Sequence, residues 1–244
     1  MKLITIILSI AILMEGLLGE YSHFDSALLN YVDSGGSVNY QGIIENPYNI
    51  NQFLDFIEKI SPDSHPKYFP TKNDRLAYWI NTYNSLIIKL MIDNPDKNIL
   101  DISWGHLVWF TKFKVGGERT SLYKIEHQIL RKMDPRIHFA ISCGSTSCPP
   151  LGNRIFLGET INSQLDEKTI NFINDSKNVY LDYENKVIYL SKIFKWYEKD
   201  FGNVRKFVLK YLKEAVDYSL IKNYKIKYNK YDWSSNNSQK KSNN

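Results

Sequence analysis

Asn73-Asp74-Arg75-Leu76-Ala77-Tyr78-Trp79-Ile80-Asn81-Thr82-Tyr83-Asn84-Ser85-Leu86-Ile87-Ile88-Lys89-Leu90-Met91-Ile92-Asp93 is the stretch whose periodicity decides the fold. On a helical wheel, Leu76, Trp79, Ile80, Tyr83, Leu86, Ile87, Leu90 and Met91 fall on one stripe about 140° wide, the signature of a core-facing helix. Thr71 or Asn73 supplies a cap, and Pro95 after Asn94 disfavours continuation. Beside the stripe runs a narrower row of Ala77, Asn81, Asn84 and Ile88, whose two amides are helical neighbours. Two readings stay open for Asn81 and Asn84: hydrogen bonds to a neighbouring loop's backbone, or the polar wall of a pocket.

Outward from this helix, Phe24 to Val32 and Asn49 to Ile60 also carry helical spacing, and Pro62, Pro66 and Pro70 break the connection between them and it. Gly116-Gly117 joins Thr111–Val115 to Glu118–Leu122 as a tight hairpin. Ser121 then caps a helix reaching Met133, and Ile137–Ser142 reads as a buried strand. A helix over Thr160–Asn174 precedes a second hairpin, Val179–Asp182 with Val187–Leu190, and two more helices start at Lys192 and Val204. Strands and helices segregate without a βαβ rhythm, so the expected class is α+β: one domain over 20–228, with several helices packed on a small sheet containing both hairpins. Residues 229–244, rich in Ser, Asn and Lys, read as a disordered tail.

The 244 residues are 43% hydrophobic and 23% charged, which suits one core and excludes a disordered, collagen-like or solenoid chain. The charge of +5 is interspersed along the chain, so no nucleic-acid partner is indicated. Met1-Lys2 followed by the apolar run Leu3–Met14 reads as a secretory signal peptide over 1–19, too short and too interrupted at Glu15 for stable membrane insertion. The expected location is secreted, or extracellular. In a eukaryotic host Asn174 and Asn236 open acceptor sequons for N-glycosylation.

Residues out of place on their elements mark the candidate site. Glu126 falls inside the apolar face made by Leu122, Ile125, Ile129, Leu130 and Met133, where a carboxylate must be paired, protonated or lining a cavity. His127 is offset to the polar side. Asp200 falls among Ile193, Phe194, Trp196, Tyr197 and Phe201, as a pocket member or in a fraying last turn before Gly202. Cys143 and Cys148, the only cysteines, bracket Gly144-Ser145-Thr146-Ser147. In an exported protein a disulfide is the first reading of the pair. The rival is a nucleophilic thiol with His106, His127 or His138 as base. Strand alternation would turn His138 and Cys143 to opposite faces. No second ligand pair accompanies the cysteines at motif spacing, and Gly116-Gly117 lacks the lysine of a phosphate loop, so neither metal nor cofactor is assigned.

Four blocks, taken in order, carry a resemblance: Ala77–Asn84, Ile125–Arg131, Asp134–Ala140 running into Cys143 and Cys148-Pro149, and Leu190–Tyr197 ahead of Asp200-Phe201. Together they resemble the signature blocks of domain-of-unknown-function family 547. That resemblance implies no particular reaction, and two functional readings follow from the residues. One is an exported domain whose pocket, formed by Asn81, Asn84, Glu126, Asp200 and the Cys143 loop, performs thiol-dependent hydrolysis or acyl transfer on a small-molecule or peptide ligand. The other is a non-catalytic extracellular binding module held by a structural Cys143–Cys148 disulfide.

Overall fold

The computed structural model describes residues 19–241, so the leader expected over 1–19 lies outside the described residues except for Gly19. Gly19 belongs to helix α1, which occupies residues 19–31 of the described chain. Helices α2 (Tyr40–Glu45) and α3 (Tyr48–Lys59) follow, and Phe24 of α1 stacks on Phe53 of α3 with ring centroids 4.6 Å apart. Among the described residues, no helix is long and apolar enough to cross a membrane.

The long helix α4 runs over Lys72–Ile92. Thr71 opens it with a reciprocal cap, its Oγ1 accepting from the Asp74 N–H while its own N–H donates to the Asp74 carboxylate. Every residue from Leu76 to Ile88 is buried, so α4 is the axle of the core rather than an amphipathic surface helix. Its polar row tolerates this position because the side chains are bonded. Asn81 Nδ2 donates to the Phe156 carbonyl (2.8 Å) and its Oδ1 accepts from the Phe156 N–H (2.9 Å). Asn84 does the same between the Ala140 carbonyl (3.1 Å) and the Ser142 N–H (2.9 Å). Each amide replaces one missing β-bridge, fixing a loop that has no strand partner.

The first hairpin, β1 (Lys112–Val115) with β2 (Glu118–Ser121), turns through Gly116 and Gly117, both at positive φ. The two glycine N–H groups donate to the carbonyls of Ile57 and Glu58 at the end of α3, and a Cβ on Gly116 would stand 2.1 Å from the Ser61 hydroxyl. The second hairpin, β3 (Val179–Asp182) with β4 (Val187–Leu190), is in a different sheet, completed by the parallel strand β5 (Lys225–Tyr228). The α+β class holds, with the hairpins in two small sheets rather than one. Helix α5 (Ile161–Ile173) and the short helices α6 (Ile193–Trp196), α7 (Glu198–Phe201) and α8 (Val204–Tyr211) complete the frame.

Three local expectations are corrected. The segment around Ile137 is not a strand: Pro135–Phe139 forms a 3-10 turn, with the Asp134 carboxylate accepting from the Arg136 N–H and Pro135 at the first helical position. Asp-Pro is a helix start, and a short apolar run buried on all sides has no period to distinguish strand from turn. The helix expected to reach Met133 is a π-helical turn over Lys124–Ile129 followed by a 3-10 turn over Leu130–Lys132. The tail is ordered through Asn237. Thr146 and Ser147 donate backbone N–H groups to the carbonyls of Ser234 and Asp232, and Asn236 donates its own to Gly144. Its side chain accepts from the buried Tyr40 hydroxyl at 2.7 Å. Polar composition predicts disorder only when the polar atoms have nothing but water to bond, and here the cysteine loop and Val38 are waiting partners.

The same contacts count against both glycosylation sites. Asn236 is buried, its Nδ2 donating to Gly36 O, and Asn174 Nδ2 donates to the carbonyls of Ile170 and Tyr211. A glycan on either nitrogen would displace these bonds.

Candidate functional site

Where the core around α4 meets the aromatic cluster beneath the three-stranded sheet, the chain leaves a cavity of about 360 Å³. Glu126 and His127 reach it from the π-helical turn, Tyr83 from α4, His138 from the 3-10 turn after Asp134, and Cys143 and Cys148 from the loop beyond. The wide turn is what lets two consecutive residues, Glu126 and His127, share one wall, and such turns recur at functional sites.

The buried Glu126 carboxylate accepts from two tyrosine hydroxyls, Tyr83 at 3.0 Å and Tyr197 at 2.5 Å. Burial, reinforced by the carboxylate, raises the pKa of both phenols well above the usual value, so they remain donors at any physiological pH. His127 Nδ1 lies 2.6 Å from Arg131 Nη1, a group that can only donate, so Nδ1 accepts and the ring proton sits on Nε2, 3.7 Å from Glu126. Burial lowers the His127 pKa.

His138 is the more deeply buried histidine, 2% exposed, and it stacks on Tyr197 with centroids 3.9 Å apart. Its Nε2 is 2.7 Å from Asp200 Oδ2, and Asp200 also accepts from Arg131 Nε (2.6 Å) and Nη2 (2.9 Å). Burial pushes His138 down to about 4 despite the neighbouring carboxylate, so the neutral ring donates from Nε2 to Asp200. Nδ1 is left as a buried acceptor with no partner. Burial works against the charge of Asp200, but Arg131 and His138 hold its carboxyl below the ordinary range.

The two cysteines are not bonded to each other in this structure. Gly144, at positive φ and packed close to Met91, turns the chain sharply after Cys143, and the Cys143 N–H donates to Cys148 Sγ at 2.7 Å. Cys143 Sγ lies 3.0 Å from Ser145 Oγ and 3.5 Å from the Tyr231 hydroxyl. Burial disfavours its thiolate, but hydrogen bonds from Cys148, Ser145 and Tyr231 outweigh it and bring Cys143 down to about 7. Burial and the neighbouring sulfur push Cys148 well up. The two neighbouring thiols are therefore shifted in opposite directions, with Cys143 the more acidic of the pair.

Of the residues singled out from sequence, Glu126, His127, His138, Cys143 and Cys148 line the cavity, as does His106. The strand-based separation of His138 from Cys143 lapses with the strand. Asp200 stands behind His138 rather than in the wall, and of the two readings open for Asn81 and Asn84 the bonds to loop backbone are the ones made, neither amide lining the cavity. Sequence reasoning placed Tyr83 and Tyr197 in the core, since an apolar stripe hides a phenol whose hydroxyl faces a cavity. Tyr231 and Trp233 fall in the segment read as a disordered tail. Two aromatic residues within three positions of such a tail were the available signal of docking.

Fold and cavity together define an α+β domain with a cysteine-bearing, aromatic-walled pocket. Residues 68–173 match the pattern of the family described as "Protein of unknown function, DUF547". No curated protein and no solved structure matches the chain. The matched segment carries α4, the π-helical turn, the cysteine loop and α5, whereas Tyr197, Asp200, Tyr231 and Trp233 lie beyond it.

Proposed function

We propose that the cavity is a thiol-dependent active site of an exported protein, hydrolysing or transferring an acyl group of a small or peptide-like ligand. The observation that carries this reading is the Cys143 thiol in the cavity wall with Cys148, Ser145 and Tyr231 arranged to stabilise its thiolate. Cys143 Sγ attacks the carbonyl carbon, the bond to the leaving group breaks, and a thioester forms. The proton released by the thiol goes to the leaving group, and the cavity-lining histidines His127 and His138 are the groups available to relay it. Water or a second nucleophile then releases the acyl group from sulfur.

A second reading, the non-catalytic binding module, draws on the closeness of Cys148 Sγ to the Cys143 backbone, which makes a local disulfide geometrically accessible. Alkylation with iodoacetamide before and after reduction, read by intact mass, separates the two. One adduct on unreduced protein, located at Cys143, together with p-nitrophenyl acetate turnover lost in Cys143→Ala, is the result expected for the enzyme. Adducts appearing only after reduction would make the binding module the correct reading.

A further inference from the structure

Glu126 is a buried carboxylate without a cationic partner, and buried charges are ordinarily paired. Its two hydrogen bonds come from neutral phenols. His127 is the one basic group within 4.0 Å among the described residues, and burial lowers its pKa toward the neutral form. Arg131, which feels Glu126 from further off, is committed to Asp200 through two bonds. No lysine or arginine lines the cavity, and the ionisation of Cys143 can only add negative charge.

The same lining also holds the complementary chemistry. Trp196, Tyr231 and Trp233 form a cluster of rings with centroid separations of 4.6 to 5.7 Å, and all three line the cavity. Trp196 is 44% exposed, so the cluster reaches solvent. The faces of such rings attract cations, most strongly those of indole. An uncompensated carboxylate and an aromatic cluster lining one cavity of about 360 Å³ make a site for a compact organic cation.

We propose that the pocket binds an ammonium group, set against the Trp196–Tyr231–Trp233 rings with its charge compensated by Glu126. This inference rests on the reading of the cavity as a ligand site, but it requires no reactive thiol. Two sources present that group, a small quaternary amine and a lysine side chain of a peptide. Choline and Nα-acetyl-lysine methylamide are therefore the two arms of the test, with 3,3-dimethylbutan-1-ol as the uncharged isostere of choline.

Binding is read by tryptophan fluorescence and calorimetry on the wild-type chain and on Cys143→Ser. Saturable binding of at least one cation is expected, with no detectable binding of the alcohol and the same affinity in Cys143→Ser. The arm that binds more tightly identifies the source. Glu126→Gln should weaken the cation by about tenfold or more, and Trp196→Leu, at a partly exposed position, should weaken it several-fold with the fold intact. Equal binding of the alcohol, no binding of either cation, or full affinity in both variants would overturn the proposal. Because Cys143→Ser retains the site, failure of thiol chemistry and failure of cation binding are separate results.

Discussion

Asn236→Ala decides whether the C-terminal segment is part of the folded domain. In the structure the Asn236 carbonyl oxygen accepts from the Tyr40 hydroxyl at 2.7 Å, and its amide nitrogen donates to Gly36 O at 3.3 Å. Tyr40 is 1% exposed, so truncating Asn236 strands a buried phenol with no water to take over. An unsatisfied buried donor costs about 1 to 3 kcal/mol, and the longer contact to Gly36 adds about 1 kcal/mol, for a loss of roughly 3 kcal/mol. In a domain of this size that is a fall in thermal midpoint of roughly 6 to 12 °C. Tyr40→Phe tests the mechanism rather than the residue. It removes the donor without stranding a charge or cavity, so it should cost only about 1 kcal/mol, and the double variant should lose about 1 kcal/mol less than the two single losses combined. Circular dichroism melts of the four proteins measure this. A midpoint in Asn236→Ala within about 1 °C of wild type, or strict additivity in the cycle, would show the tail to be undocked and the reasoning wrong.

Asn81→Ala and Asn84→Ala should each destabilise by about 2 to 4 kcal/mol, because each strands one buried N–H and one buried carbonyl, and denaturant unfolding measures the loss. Acid should weaken the fold through His138. Its folded pKa of about 4 lies below that of the unfolded chain, so the unfolded state takes up the proton first. The stability is complete above roughly pH 6.5 and falls by about 3 kcal/mol on approaching pH 4, and the non-titrating variant His138→Gln should flatten that slope. Tyr231→Phe removes one donor to the Cys143 sulfur and should move the pH midpoint of its alkylation rate above about 7, as followed by mass spectrometry. Protein secreted from a eukaryotic host should show no mass change on glycosidase treatment, since both sequon nitrogens are engaged in the fold.

Much of the scaffold was legible because it rests on local chemistry. The Thr71–Asp74 cap, the proline after Asn94 and the Gly116-Gly117 turn each act within a few residues, and each is where the sequence places it. The parallel strand β5 was not legible, because its four residues find partners in β4 38 positions away rather than in a hairpin. Glu126 illustrates the middle case. Its place inside an apolar face announced a buried carboxylate, but a regular helical wheel cannot show that the turn is π-helical, nor that the partners would be two phenols drawn from α4 and the end of α6. His138 was misplaced for a related reason: alternation is informative only when one face is wet, and the 3-10 turn that carries it is buried throughout.

The division of labour within the pocket follows from chain order. The segment shared with the DUF547 family brings Glu126, the histidines and both thiols to one place, yet a thiol buried there by itself would be driven toward its neutral form. Its acidity is lowered by Cys148 and Ser145 within that segment and by Tyr231 from outside it, just as Glu126 depends on Tyr197 and His138 on Asp200. Residues 174–237 are therefore not an appendage to a self-sufficient site. They supply the second donor to Glu126, the carboxylate that orients His138 and the rings of the aromatic wall. The C-terminal segment reaches the thiols by running its backbone along the cysteine loop, through Thr146, Ser147 and Gly144, so the contacts that order the tail are the ones that set the electrostatics of Cys143. Docking of this segment and reactivity of the thiol are one property of the fold, and a change that loosens the first must alter the second.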